Sequence, residues 1–119
     1  MTINLDYPRN YAKLYGMNAI YAGKHWSKRR EDAEFWHVYV HSELRKQGIK
    51  KRCFKNPVEI AFYWDDRLDL TNEAYAAKLI EDALKGYIIE DDSKKYVKAI
   101  HHFIHDKKCI TVKIKELKP

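Results

Sequence analysis

The segment from Pro57 to Trp64, PVEIAFYW, alternates apolar side chains with other side chains along its whole length. A period of two is typical of a β-strand that buries one face and leaves the other accessible. The inward residues would be Val58, Ile60, Phe62 and Trp64, and the outward residues Glu59, Ala61 and Tyr63. The chain is therefore predicted to build its core on one face of a sheet that contains this strand.

Two helices are predicted to pack on that sheet. The first spans His25 to Gln47, contains no Pro or Gly, and is closed by Gly48. Its apolar face would consist of Phe35, Trp36, Val38, Val40 and Leu44. The second spans Glu73 to Lys85, with Thr71 or Asn72 as its cap and Gly86 at its end. Its apolar stripe would consist of Ala76, Leu79, Ile80, Ala83 and Leu84.

The remaining segments complete an α+β fold. Thr2 to Tyr7 is predicted to be a first strand, and Arg9 to Lys24 an ordered loop with a short extended piece at Ala19 to Tyr21. Tyr87 to Glu90 would be a brief extended return after the second helix. Tyr96 to His105 and Cys109 to Leu117 are predicted to form a hairpin, with Ile110, Val112 and Ile114 facing in and Thr111, Lys113 and Lys115 facing out. The predicted order is β-α-β-α-β-β, with helices packed on a mixed sheet.

Length and charge limit the class of protein. With 119 residues the chain suits a single domain, residues 1–119, and a domain this small commonly gains stability from association, so a homodimer is expected. Two cysteines, Cys53 and Cys109, are too few for a disulfide framework and favour a cytoplasmic protein. No apolar run approaches the ~18 residues of a membrane helix.

Basic side chains are concentrated in two clusters. Lys and Arg together outnumber Asp and Glu by 23 to 17, which gives a formal charge of +6. Such an excess suits a polyanion, although a run of charge is more often simply a solvated face. The cluster before and within the first helix comprises Lys24, Lys28, Arg29 and Arg30, and the cluster after it is centred on Lys50, Lys51 and Arg52. These seven residues are the candidate DNA-binding side chains.

Acidic side chains are concentrated on either side of the second helix. Asp65, Asp66 and Asp69 follow the strand, and Asp91 and Asp92 follow the helix, so the helix can return the second pair to the end of the strand. Carboxylates brought that close repel one another unless a cation bridges them, and oxygen ligands suit Mg²⁺. The alternative interpretation is a set of solvated acidic turns, with Lys78 and Asp82 as an ordinary surface ion pair. The predicted metal ligands are Asp66, Asp69, Asp91 and Asp92.

A third candidate group lies on the predicted hairpin. His101 and His105 share a face with Phe103. A half-exposed sheet surface accounts for these side chains, and a cationic or stacking role near DNA is the alternative.

The segment from Asp69 to Asp92 resembles the signature of the RusA family of Holliday junction resolvases. That signature has D-x-D-N at a strand end, a Lys and D-A-L on the helix, and a closing D-D pair. The sequence here reads DLTN, then Lys78, then Asp82-Ala83-Leu84, then Asp91-Asp92. The stretch from Asn18 to Arg29, NAIYAGKHWSKR, is similar to the amino-terminal part of phage members of the family.

The resemblance implies a Mg²⁺-dependent homodimeric endonuclease, with Mn²⁺ as an alternative ion, that resolves four-way DNA junctions in recombination and repair. By the family pattern Asp69 and Asp92 would be catalytic metal ligands and Lys78 would stabilise charge on the phosphate. Thr71 stands where the family has its second acid. Either Asp66 or Asp91 supplies that charge, Thr71 contacts the ion through water, or activity is weak or lost.

Two other functions remain open. In the first, the chain is a catalytically impaired relative that binds branched DNA without cutting it. In the second, it is a small basic protein that binds a protein partner. An assay of junction cleavage distinguishes the impaired relative from the nuclease. A measurement of DNA affinity at moderate salt distinguishes the protein-binding alternative from both.

Overall fold

The sheet that the Pro57 to Trp64 pattern predicts is present and has four strands. The structure is a computed structural model that describes residues 1–118. Its strands are β1 (Thr2–Leu5), β2 (Val58–Trp64), β3 (Val97–Ile104) and β4 (Ile110–Glu116), and its α-helices are α1 (Tyr11–Tyr15), α2 (Met17–Tyr21), α3 (Trp26–Lys46) and α4 (Ala74–Leu84), with a 3-10 helix at Leu70–Glu73. The predicted α+β class is confirmed, and the predicted order of elements is confirmed in outline.

The sheet is mixed, with spatial order β1-β4-β2-β3. β4 pairs antiparallel with both β1 and β2, whereas β3 pairs parallel with β2. The inward residues of β2 are those that the alternation predicted, and all four are buried. One face of the sheet therefore carries the core, and α3 and α4 pack against each other as part of the same core.

Helix α3 is defined by clear signals at both ends. At the start, the Nδ1 atom of His25 accepts a hydrogen bond from the backbone N–H of Ser27. At the end, Gly48 adopts a left-handed conformation with φ of 73°, and the N–H of Ile49 donates to the carbonyl of Leu44. The buried side chains are Trp36, Val40 and Leu44, each four residues from the next. The predicted apolar face was too wide, because Phe35 and Val38 are exposed.

Helix α4 carries the buried stripe that its spacing predicts. All five predicted stripe residues are buried. The helix itself begins at Ala74, and a 3-10 turn with Asp69 as its N-terminal cap replaces the predicted cap at Thr71 or Asn72. The chain leaves α4 through Gly86, whose φ is 77°, and the segment 85–89 closes a tight turn rather than a strand.

The predicted loop from Arg9 to Lys24 is wrong, since the segment forms the short helices α1 and α2. Tyr11 and Tyr15 lie one helical turn apart and are both buried, which gives α1 an apolar face that the scattered tyrosines concealed. Gly16 separates the two helices where a Cβ atom would lie 2.8 Å from the carbonyl oxygen of Ala12. None of the helices in the described residues is long and apolar enough to cross a membrane.

The predicted hairpin between the last two strands is also wrong. β2 lies between β3 and β4, so the loop after β3 crosses the end of β2 instead of turning back beside it. Two contacts hold this crossing in place: the N–H of His105 donates to the carbonyl of Trp64, and the N–H of Lys108 donates to the carboxylate of Asp65. Helix α4 provides the crossover that a parallel β2–β3 pair requires. The inward positions Ile110, Val112 and Ile114 are confirmed, but Thr111 is buried, and its hydroxyl donates to Asn4.

Candidate active site

The first group of predicted site residues follows β2. Asp65 accepts the Lys108 N–H at 2.7 Å, and one oxygen of Asp66 accepts the Leu68 N–H at 2.8 Å. The contact of Asp66 closes the turn that ends the strand, and the contact of Asp65 holds the loop after β3. Asp69 is exposed at the start of the 3-10 helix, where its side chain makes no capping hydrogen bond. The Asp69 carboxylate is therefore available to solvent.

Lys78 is the centre of an ion-pair cluster on α4. Its ammonium group donates to the carboxylate of Asp82 at 2.8 Å and to the carboxylate of Asp92. The ammonium nitrogen of Lys85, the residue that follows α4, lies 3.2 Å from a carboxylate oxygen of Asp82 and 3.6 Å from one of Asp92. The predicted surface pair of Lys78 with Asp82 is thus part of a network that joins α4 to the segment after it. Spacing on one helix predicted the first contact, and only the fold brings in Asp92.

The cluster shifts the protonation equilibria of its members. The hydrogen bond from Lys78 lowers the pKa of Asp92 to about 2, so this carboxylate is ionised at any physiological pH. Partial burial would lower the pKa of Lys78, but the hydrogen bonds to Asp82 and Asp92 outweigh it and raise that pKa. Burial raises the pKa of the neighbouring Glu81. Lys78 and Asp92 therefore both remain charged at neutral pH, and 55% of the Lys78 side chain is exposed.

A hollow of about 470 Å³ adjoins the cluster at the start of β3. Its wall is mixed, with three lysines, two acids and three apolar residues. The lining residues are Lys78, Glu81, Asp92, Lys94, Val97, Lys98, Ala99 and Ile100. Lys78, whose side chain is 55% exposed, can therefore be reached from this hollow.

Asp66 belongs to a different and buried arrangement. Glu73 is fully buried, and the hydroxyl of Tyr11 donates to one of its oxygens at 2.8 Å. The remaining oxygens of Glu73 and Asp66 are buried without a donor among the described residues. Burial, together with the hydrogen bond to Asp66, raises the pKa of Glu73 to about 9. Glu73 is therefore protonated at neutral pH, and its acid proton supplies the donor for the pair.

The basic side chains divide into exposed and internal ones. Lys28, Arg29 and Arg30 are exposed in the first turns of α3, and Lys50, Lys51 and Arg52 are exposed after it. Lys24 differs: its ammonium group lies 2.5 Å from Asp32 and donates to the carbonyl of Leu14, and only 12% of its side chain is exposed. Lys24 ties α1 to α3 and is not part of the exposed basic surface.

The four predicted metal ligands are not gathered into one group. Among residues 1–118, no three His, Cys, Asp or Glu side chains lie close enough together to hold a metal ion. Asp92 contacts Lys78 and Lys85, Asp66 contacts Glu73, and Asp69 and Asp91 are exposed. The structure brings Lys78 and Asp92 together, two residues that were predicted as site residues but not as a pair, and it places Asp66 beside Glu73.

Three residues of these clusters were not predicted. Lys85 lies three residues after Asp82, a spacing that could have revealed it. Glu81 and Glu73 face the interior among apolar neighbours on α4 and the 3-10 helix, and no local pattern in the sequence distinguishes them from exposed acids. No protein-family model matches this chain, and no curated protein sequence matches it.

Proposed function

We propose that this protein is a Mg²⁺-dependent endonuclease of the RusA type that cuts four-way DNA junctions. The observation that carries the proposal is the contact of Lys78 with Asp92 beside a surface hollow that two further lysines line. Lys78 can place its charge against a phosphate oxygen and offset the negative charge that develops during cleavage. Asp92 stays ionised beside it. Both positions match the RusA signature.

The residues that the proposal assigns as ligands are carboxylates, the type of ligand that a hard cation prefers. Mg²⁺ commonly binds through one or two carboxylates, while water and substrate phosphate complete its shell, so a cage of three acids is not required. Asp92 and the exposed Asp69 would be the protein ligands, with Asp91 next to Asp92 in sequence, and Mn²⁺ would substitute for Mg²⁺. When bound, such an ion neutralises the phosphodiester and lowers the pKa of an attacking water. Asp66 has no place in this set, because its carboxylate is committed to Glu73.

The exposed basic side chains supply the DNA-binding surface. The cluster of Lys28, Arg29 and Arg30 and the cluster of Lys50, Lys51 and Arg52 lie at opposite ends of α3. A helix of 21 residues is roughly 30 Å long, so the clusters can contact separate duplex segments of a branched molecule. Phosphate contacts of this kind give affinity without sequence preference.

A homodimer is proposed as the active form. A four-way junction has two-fold symmetry, and a two-fold dimer presents one site to each of the two strands that are cut. Exposed apolar side chains are available for association on α3, at Phe35 and Val38, and on β3, at Ile100 and Ile104. The free thiols of Cys53 and Cys109 are in keeping with a cytoplasmic location.

The second candidate is a relative that binds branched DNA without cutting it. Two observations favour it: Thr71 replaces a family acid, and both lysines of the cluster already neutralise Asp92. In that case the basic surface is retained while the metal site is not.

A synthetic four-way junction separates these functions. With Mg²⁺, the nuclease should nick two opposing strands at symmetric positions, EDTA should stop the reaction, and a linear duplex of the same sequence should remain intact. The non-catalytic relative should bind the junction with a steep loss of affinity as salt rises, and neither Mg²⁺ nor Mn²⁺ should produce nicks. A chain that shows no affinity for the junction at moderate salt contradicts both candidates.

Replacing Arg29 with alanine should weaken junction binding by a similar factor for all DNA sequences. One lost phosphate contact lowers the slope of log affinity against log salt by about one. Fluorescence anisotropy of a labelled junction at several salt concentrations measures the slope. The matched control is Lys24→Ala, which removes an internal cation and should lower the melting temperature without changing the slope. Equal slopes for wild type and Arg29→Ala would remove the start of α3 from the interface.

A further inference from the structure

The face of the sheet opposite the core carries its own set of side chains. The strand registers align them in two rows across the sheet, and all but Thr111 are exposed or half-buried. One row is Thr2, Lys113, Ala61 and His101, and the other is Asn4, Thr111, Tyr63 and Phe103. We call this surface the open face. Its side chains are small, polar or aromatic, so it differs from an apolar interface.

Three rings stack on the open face. The Tyr63 and Phe103 rings lie 5.1 Å apart at 24°, and the Phe103 and His101 rings lie 6.1 Å apart at 18°. The His105 ring lies 5.9 Å from that of Tyr63 but is tilted from it by 43°. Phe103 is 45% exposed, although burial would be favourable for a side chain of this size. The stack therefore offers planar apolar surface to a ligand that is itself planar.

The surroundings of the stack are basic. The ammonium group of Lys113 lies 5.0 Å from the centre of the Tyr63 ring. A depression of about 480 Å³ adjoins Tyr63 and His105, and Lys107 and Lys113 line it. Lys115 stands beside Glu59, the one acid that the strand registers place on this face among the described residues, and Glu59 lies 4.0 Å from His101. Charge complementarity thus favours an anionic ligand.

We propose that the open face binds unpaired nucleotides of DNA, with bases stacked on Phe103 and Tyr63 and phosphates contacted by Lys107 and Lys113. Aromatic side chains on a basic surface are the usual means of holding single strands, because every base has a flat face to stack. A duplex hides those faces, so the proposal applies to unpaired segments at a branch point. It rests on the proposed function only in taking DNA as the substrate.

The position of β3 connects this surface with the candidate active site. Ile100, near the start of β3, lines the hollow beside Asp92, whereas His101 and Phe103 lie on the open face. A single strand on the open face would therefore leave it close to Lys78. Holding an unpaired strand there would direct cleavage to the branch point rather than to continuous duplex.

The test is the affinity of the whole protein for a labelled 12-nucleotide oligodeoxythymidylate, measured by anisotropy in EDTA so that no cutting occurs. Phe103→Ala should bind this probe roughly tenfold more weakly than wild type, the effect of losing about one base stack. A matched oligonucleotide of abasic residues carries the same phosphates without bases, and Phe103→Ala should bind it as wild type does. Tyr21→Ala is the control variant, because Tyr21 is also an exposed aromatic residue, at 79%, but lies on α2.

Lys113→Ala provides a second variant in case Phe103→Ala does not fold, and it should weaken binding to both oligonucleotides. Equal affinity of wild type and Phe103→Ala for oligodeoxythymidylate overturns the proposal, as does an equal loss on the abasic probe. A change in sedimenting mass for Phe103→Ala, absent in Tyr21→Ala, overturns it in favour of a contact between protein copies. Junction cleavage by the wild type is scored separately. If the open face binds the oligonucleotide but the junction is not cut, the proposed nuclease function is rejected and the open-face proposal stands. If the junction is cut but oligonucleotide binding does not depend on Phe103, the open-face proposal is rejected and the nuclease proposal stands.

Discussion

Replacing Asp92 with asparagine should abolish cleavage of a four-way junction while leaving the junction bound. The variant keeps the size of the side chain and removes its charge, which the hydrogen bond from Lys78 stabilises so strongly that the pKa of Asp92 falls to about 2. Loss of a preorganised charge at a reacting phosphate typically costs ~10²-fold or more in rate. Binding should be equal or slightly tighter, since a negative charge is removed near the DNA.

The measurement is single-turnover cleavage of a labelled junction, with binding followed separately in Ca²⁺ or EDTA. Glu90→Gln is the matched control, because Glu90 lies two residues away, is exposed, and should cut at the wild-type rate. Asp69→Asn should behave like Asp92→Asn if both carboxylates hold the ion. Normal cutting by Asp92→Asn would remove the Lys78 and Asp92 pair from the chemistry and leave the proposed function without its main support.

Replacing Glu73 with glutamine should stabilise the protein at alkaline pH. Burial and the hydrogen bond to Asp66 raise the pKa of Glu73 to about 9, against an ordinary value of 4.5. Between these pH values the folded chain binds more protons than the unfolded chain, so the free energy of unfolding falls as pH rises, by at most roughly 1.4 kcal/mol per pH unit. Glutamine donates to Asp66 and accepts from Tyr11 at every pH, so the variant should lack this component of the decline.

Urea unfolding at pH 6 and at pH 8.5 measures the difference. The wild type should lose stability between the two conditions, while Glu73→Gln should lose less and exceed the wild type at pH 8.5 by about 1 kcal/mol or more. Glu34→Gln, an exposed change on α3, should follow the wild-type profile. Glu73→Ala should be destabilised by roughly 2–4 kcal/mol at both pH values, because it leaves Tyr11 and Asp66 unpaired and opens a cavity. Parallel profiles for wild type and Glu73→Gln would mean that Glu73 is ionised in the folded protein.

Local sequence patterns predicted a helix or strand well where burial of one of its faces provides most of its stability. The alternation in β2 and the stripe on α4 each describe a single buried surface. Spacing alone identified every inward residue of β2 and all of those on α4 except Ala77 and Glu81. The first long helix was placed to within one residue at each end by its lack of Pro and Gly and by Gly48. The width of its buried face was not predictable, because Phe35 is left exposed by the arrangement of its neighbours.

The pairing of the strands was harder to predict from the sequence. A short polar segment between two apolar stretches favours a hairpin, yet β4 pairs with β2 and β1 instead, a choice that depends on residues far away in the chain. The candidate site shows the same division. Lys78 and Asp82 were visible as neighbours on a helix, whereas the contacts of Asp92 with Lys78 and of Asp66 with Glu73 arise only from folding.

The inner position of β4 has a consequence for the kinetics of folding. β4 is the last strand in the chain, but Thr2 pairs with Lys113 and Val58 with Glu116. Val58 also pairs with Val97, so all three strand pairings in the sheet join segments distant in sequence. Loop-closure entropy must be overcome before such pairings contribute, and proteins rich in them fold slowly, in milliseconds to seconds. During synthesis β1 and β2 would remain separated until residues 110–116 have left the ribosome, while α3 and α4 can already form.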